Sequence, residues 1–452
     1  MKVVVRRFAI PQTVLDRLFR YNAVLFAFTA WPFFWYGTVY SQVAYTVIAA
    51  LLGVLFVISG ANSHRLRLNL FTLALLIFFA SALLATGLSD HAEIRSKLAT
   101  RVLVYVCLAA AAIALSSIQK PELSRACNAI IAIFILVSLP SVLILVAFIS
   151  GVNLPYTSID LGDRGNFYRL YPFGVIAESA IFNYPGVGRL WLVRIGGFFE
   201  EPGVLGTFVV FFIILNRFTG TGRSRYWKEA ALHLLGTLSM SLFYFVSAAI
   251  FLAAWALRVT NRLIRAKGIS RSSVVVLALV IVGVAVTVFW IRPGNPVYYR
   301  TVARLSPSDT GLVVGNSRFE YDYRVAGYLE NAGLPQILLG NGPGANSLDA
   351  SAQYSSWAAD MYDTGLIAML VVVGVYCFIA LRFSIRNGHL SYGRLLTILP
   401  AVLSYYQRPD VISPIMIIFW ITMARFAFEP ANPSEIRSVV FGAPPIPHRG
   451  ST

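Results

Sequence analysis

The chain has 452 residues, of which 57% are hydrophobic and only 13% charged, and its formal net charge is +17. Soluble domains carry about 25% charged residues, so this composition, with a mean hydropathy of +0.70, excludes a water-soluble globular protein. The basic surplus forms no long contiguous run, which argues against nucleic acid as a partner and for a membrane topology signal.

Residues 1–20 bring Lys2, Arg6, Arg7, Arg17 and Arg20 ahead of the first apolar stretch. No small-x-small cleavage site follows, so the stretch reads as a retained anchor. Trp31, Phe33, Phe34, Trp35 and Tyr36 at its far end have the amphipathic rings of an interfacial belt. Apolar runs then recur to the end of the chain, each suited to a bilayer core of roughly 30 Å. The predicted spans are 21–38, 43–60, 68–86, 99–118, 128–150, 202–217, 229–243, 244–258, 273–291, 364–381, 395–407 and 411–425. The fold class is therefore an all-α polytopic membrane protein of about twelve transmembrane helices, with residues 1–428 as one membrane domain. Residues 429–452 contain Pro430, Pro433, Pro444, Pro445 and Pro447 and read as a disordered cytoplasmic tail.

Charge fixes the orientation. With both termini on one side, that side holds 24 Lys and Arg against 5 Asp and Glu, and the other holds 13 against 15, which accounts for all 37 basic and 20 acidic residues. The first side is cytoplasmic by the positive-inside rule. The cores of the spans are free of Asp, Glu, Lys and Arg, which argues against an ion-coupled transporter.

Two connections are long, and both face outward. Residues 151–201 form one loop and residues 292–363 the second. Structureless loops of this length are uncommon unless they are functional. The second is partly helical. Ser317 and Glu320 make a capping box, Phe319, Tyr323 and Ala326 share a face, and Gly333 and Pro335 end the helix over 317–332. Gly340, Gly342 and Gly344 follow as a tight turn, without the spacing of a dinucleotide fingerprint or the Lys-Ser/Thr of a P-loop. Cys107, Cys127 and Cys377 lie in or beside spans, and of the five histidines only His91 faces outward, so neither a disulfide framework nor a His/Cys metal site is expected there.

The outward loops hold the residues with chemistry. The first ends in Arg194-Ile-Gly-Gly-Phe-Phe-Glu200-Glu201-Pro202-Gly203. A guanidinium there can bind two phosphate oxygens at once, and the carboxylates could accept a proton. A purely structural reading stands beside it, since Pro202 suits a first helical turn and Glu201 favours the positive end of a helix dipole. In the second loop Arg318 and Arg324 can pair with Asp322 and Glu320 at i,i+4 spacing, worth only about 0.3–0.5 kcal/mol each. Either arginine could exchange that partner for a diphosphate.

The run RIGGFFEEPGVLG (194–206), leading straight into a span, resembles the O-antigen polymerase and ligase superfamily. So do NSRFEYDYRVAGYLENAGLPQILLGNGPGANS (316–347) and WAADMYDTGLIAML (357–370). The resemblance implies a metal-independent membrane glycosyltransferase of the bacterial inner membrane, without cofactor, whose donor is an undecaprenyl-diphosphate-linked oligosaccharide. On this expectation Arg194, Arg318 and Arg324 bind the diphosphate, and, with no suitable histidine, Glu200 or Glu201 is the candidate base that completes a catalytic group with Arg194. The ligases carry a His shortly before the span that follows the second loop. This chain reads Tyr354-Ser355-Ser356-Trp357 there, which favours a polysaccharide polymerase over an O-antigen ligase that transfers to lipid A–core. The alternative outside enzymes is a glycan-lipid flippase. Partners are the lipid-linked oligosaccharide and membrane lipid, and the resemblance leaves room for a chain-length regulator or an export complex.

Overall fold

The computed structural model describes residues 11–30, 32–35, 39–60, 69–160, 166–184, 188–267, 322–348, 357–386, 388–408 and 411–429. The predicted span 273–291, Ser317, Arg318 and the tail from 430 lie outside the described residues.

The protein is mostly helical. Among the described residues, six helices are long and apolar enough to cross a membrane. They are α2 (Tyr40–Gly60, apolar through Ile58), α3 (Leu70–Leu88), α5 (Leu98–Ser117), α6 (Lys120–Ile149), α7 (Pro202–Thr219) and α13 (Trp357–Ser384). The other helices are α1 (Gln12–Phe28), α4 (Ala92–Ser96), α8 (Ser224–Leu238), α9 (Leu242–Lys267, apolar through Arg258), α10 (Asp322–Asn331), α11 (Leu334–Leu339), α12 (Ala345–Leu348), α14 (Tyr392–Gln407) and α15 (Pro414–Phe428). At 1.5 Å per residue, α6 is roughly 45 Å long, more than a bilayer core needs. In α7, 83% of the apolar window is buried, against 17% in α2. So α7 is the central post of the bundle, and α2 presents its valines and leucines outward.

Two predicted elements need correction. The first concerns residues 151–201, which are not a plain loop. Four strands, β1 (Thr157–Asp160), β2 (Asn166–Tyr171), β3 (Gly174–Tyr184) and β4 (Gly188–Gly197), form an antiparallel meander in sequence order, so the helical membrane fold carries a small sheet in this loop. The sheet is buried on both faces where it meets the bundle. Ile176 and Ile195 join the main helical core, while Tyr168, Val175 and Ala177 close a second small core with Phe33. Gly174 sits where a Cβ would fall 1.9 Å from Ser141 Oγ on α6, so only glycine lets the sheet approach this closely. The aromatic run after α1 also belongs to this assembly. Phe33 N–H donates to the Phe198 carbonyl at 3.0 Å, and Phe28 and Phe34 pack edge-on against the Phe198 ring.

The second correction concerns 229–243 and 244–258, whose real break lies at residues 239–241, between α8 and α9. There Met240 adopts φ 48°. Ser239 Oγ donates to the Gly236 carbonyl at 2.6 Å and accepts from Ser241 N–H at 3.3 Å, which satisfies the freed backbone groups. The turn lies tightly against α7, because a Cβ on Gly206 would meet Ser241 Cβ at 2.2 Å.

In the second long loop, α10 runs to Asn331 as predicted. Gly333 and Pro335 do more than stop it: they start α11, with Gly333 as N-cap and its N–H held by Gln336 Oε1 at 2.8 Å. Gly340, Gly342 and Gly344 all have φ between 83° and 98°, the left-handed region that favours glycine. The turn they form is seated on α13 where that helix is broken at Gly365 (φ 82°, ψ 167°).

A short hairpin, β5 (Ile385–Arg386) and β6 (His389–Leu390), joins α13 to α14 at the end of the bundle remote from the four-stranded sheet.

Candidate functional site

The start of α7 is fixed by its sequence. Glu201 is its extended N-cap and Pro202 occupies the first turn, where the missing N–H costs nothing. This end of α7 meets the C-cap of α14. Arg408 Nη2 donates to Glu201 Oε2 at 2.9 Å, and about 30% of each side chain is exposed. Gly203 makes room for the contact, since a Cβ there would lie 2.9 Å from Arg408 Nη2. Arg408 Nε is shielded from solvent and has no hydrogen-bond acceptor among the described residues.

Glu200 is half-buried beside this pair. Burial raises its carboxyl above the usual carboxylate range, Glu201 raises it further, and Arg408 opposes both, which leaves it at about 7. A carboxyl with that acidity is half protonated near neutral pH. It can take a proton from a hydroxyl and release it again within one turnover.

One turn before Arg408, the Tyr405 hydroxyl donates to the Asp360 carboxylate in the first turn of α13. Thr364 Oγ1 donates to the Asp360 carbonyl at 2.7 Å. Three residues on, Asp363 accepts from the backbone N–H groups of Gly344 at 2.7 Å and Asn346 at 2.8 Å. Asn341 and Gly342 donate in turn to the carbonyls of Tyr362 and Asp363, each at 2.9 Å. Arg101 of α5 completes the clamp: Nη1 binds Thr86 Oγ1 at 2.8 Å, and Nη2 binds the Pro343 carbonyl. The glycine-rich turn is thus fastened to the bundle by one half-buried carboxylate and one guanidinium.

The structure brings Glu200 and Glu201 together with Arg408. Arg194 lies in β4 opposite Ala177, nearly buried, in a cross-strand row with Tyr168. Its neighbour Ile195 points the other way, into the helical core. Arg324 is on α10, and Arg318 lies outside the described residues.

Four residues of this end escaped the sequence reading: Arg408, Asp360, Asp363 and Arg101. The freedom of the spans from charge holds for their cores only, because α13 begins at Trp357 and so takes in Asp360 and Asp363. The available signal was a polar residue at the boundary of an apolar run. Arg408 directly follows one, Asp363 directly precedes one, and Asp360 lies about one helical turn before it. Among the described residues, no group of three His, Cys, Asp or Glu side chains is placed to hold a metal ion.

Compared with protein-family models, curated proteins and solved structures, the chain matches none.

Proposed function

We propose that this chain is a bacterial inner-membrane polysaccharide polymerase, a metal-independent glycosyltransferase acting on undecaprenyl-diphosphate-linked oligosaccharides. In this reading both termini are cytoplasmic, and the sheet, the glycine-rich turn and the Glu200–Glu201–Arg408 cluster face the periplasm, in line with the charge asymmetry of the connections. The observation that carries the proposal is the Glu200 carboxyl at about 7 beside the Glu201–Arg408 pair, at the head of a candidate membrane-spanning helix.

The chemistry balances without a cofactor. The acceptor hydroxyl oxygen forms a bond to the anomeric carbon of the donor. The bond from that carbon to the diphosphate oxygen breaks, and its electron pair leaves with the diphosphate. The hydroxyl proton goes to the Glu200 carboxylate. Guanidinium groups suit the departing charge because their planar fork binds two phosphate oxygens. Arg408 is partly exposed beside the carboxylates, while Arg194, Arg318 and Arg324 are the further candidates supplied by the two loops.

The test is incubation of purified protein with a lipid-linked repeat unit. A ladder of products supports the polymerase, transfer to lipid A–core replaces it with a ligase, and transport without transfer replaces it with a flippase. Glu200→Gln should lower ladder formation by about 100-fold or more, the usual contribution of a general base, while donor binding persists. Wild-type ladders from Glu200→Gln would remove that carboxyl from the mechanism.

A further inference from the structure

At the opposite end of the bundle from the sheet, four arginines from four helices converge. Arg258 of α9 lies within electrostatic reach of Arg217 at the end of α7, Arg225 at the start of α8 and Arg394 at the start of α14. Glu229 is the carboxylate among them, and it is already engaged: Arg217 donates to its Oε1 from Nε at 2.8 Å and from Nη2 at 2.6 Å. Arg258 is held by neutral acceptors, the Gly393 carbonyl at 2.9 Å and Thr397 Oγ1 at 2.8 Å. Arg394 Nη1 donates to the Phe383 carbonyl at 3.3 Å. Arg225 Nε is shielded from solvent with no acceptor among the described residues.

Among the described residues, Glu229 is the carboxylate that Arg217 engages, Arg258 has neutral acceptors, and the Arg225 Nε–H is left to satisfy, so the site carries a surplus of positive charge there. Like charges within electrostatic reach of one another repel, and an anion among them relieves that repulsion. The rim of the cluster is also aromatic. Tyr226 and Trp227 in the first turn of α8 are each 69% exposed, and Tyr392 beside Arg394 is 66% exposed. Such rings favour the headgroup level of a bilayer, and basic pockets between transmembrane helices accept phosphate-bearing headgroups.

We propose that Arg217, Arg225, Arg258 and Arg394 form a binding site for a phosphodiester anion, the headgroup of an anionic phospholipid in the leaflet at this end of the protein. The site lies at the other end of the bundle from Glu200 and is independent of the glycosyltransferase reading. The lipid would tie the ends of α7, α8, α9 and α14 together.

The experiment uses the full chain in nanodiscs of equal parts phosphatidylglycerol and phosphatidylcholine, with retained lipids counted by native mass spectrometry after release. Phosphatidylglycerol should be enriched over its bulk share. In Arg225→Gln its apparent affinity should fall about fivefold, the factor corresponding to roughly 1 kcal/mol per basic residue. A second measurement keeps the test sound should Arg225→Gln not fold: thermal unfolding of the wild type in uncharged detergent. Phosphatidylglycerol should raise its Tm more than phosphatidylcholine does. Inorganic phosphate that matches the lipid's effect would support the site with free phosphate as occupant. Retained lipids in the bulk ratio, together with a Tm indifferent to both anions, would overturn the proposal.

Discussion

Replacing Glu200 by glutamine separates burial from chemistry, because its effect on stability needs no substrate. The native carboxyl titrates at about 7 against an ordinary 4.5, raised first by burial and then by Glu201, with Arg408 opposing. Between pH 4.5 and 7 the folded state therefore holds a proton that the unfolded state has released. Stability must fall as pH rises through this window and stay low above it. A rise of this size corresponds to roughly 3 kcal/mol at about 1.36 kcal/mol per tenfold change in acidity. Solvent still reaches part of the side chain, so screening reduces the figure to about 1–2 kcal/mol. Glutamine mimics the protonated carboxyl at every pH. Glu200→Gln should then match the wild type below pH 4.5 and be more stable by about 1–2 kcal/mol above pH 7. Thermal unfolding of both proteins in the same detergent from pH 4 to 8 reads this directly. A stability difference that does not vary with pH would refute the reasoning, because it would mean that Glu200 titrates alike in the folded and unfolded chain.

Two further changes probe the same end of the bundle. In a double-mutant cycle of Glu201→Gln and Arg408→Gln, unfolding should show a coupling of about 0.5–1 kcal/mol, as expected for a partly exposed pair; strict additivity would mean that the contact contributes nothing. Gly340→Ala should destabilise by at least about 2 kcal/mol, since the left-handed φ alone costs an alanine roughly 1–2 kcal/mol and the new Cβ would lie 2.5 Å from the Asp363 carbonyl oxygen. Gly327→Ala, where a Cβ meets nothing within 4 Å, is its control and should be neutral or slightly stabilising by helix propensity.

The helical bundle was legible because long apolar runs have few other fates. The sheet was not, because its central residues do not alternate cleanly. Val175, Ile176 and Ala177 are all fully buried, so the period-two signal of a half-exposed strand is missing. The break at Met240 was missed for a related reason: it has neither Gly nor Pro at the turn itself, and its glycines, Gly206 and Gly236, lie on the helices that pack around it. Glu200 and Glu201 stood out from their place beside Pro202. Arg408 did not, because its carboxylate partner is 207 residues away in the chain, and only the packing of α7 against α14 joins them.

That packing also explains how two regions far apart in sequence can act as one. Arg408 ties the end of α14 to the head of α7 through Glu201. One turn earlier, Tyr405 ties the same helix to α13 through Asp360. Asp363, three residues further along α13, holds the glycine-rich turn of the second loop. The head of α7 is in turn continuous with β4 of the first loop, through residues 198–201. The last turn of α14 is therefore the shared mechanical element between the two loops. A ligand that drew Arg408 away from Glu201 would leave two adjacent carboxylates without their cation, and the balance that sets Glu200 would shift toward the protonated form. An anion that instead approached the exposed part of the Arg408 side chain would leave the pair intact. The second arrangement keeps Glu200 able to accept a proton at neutral pH, so it is the one compatible with a base at this position.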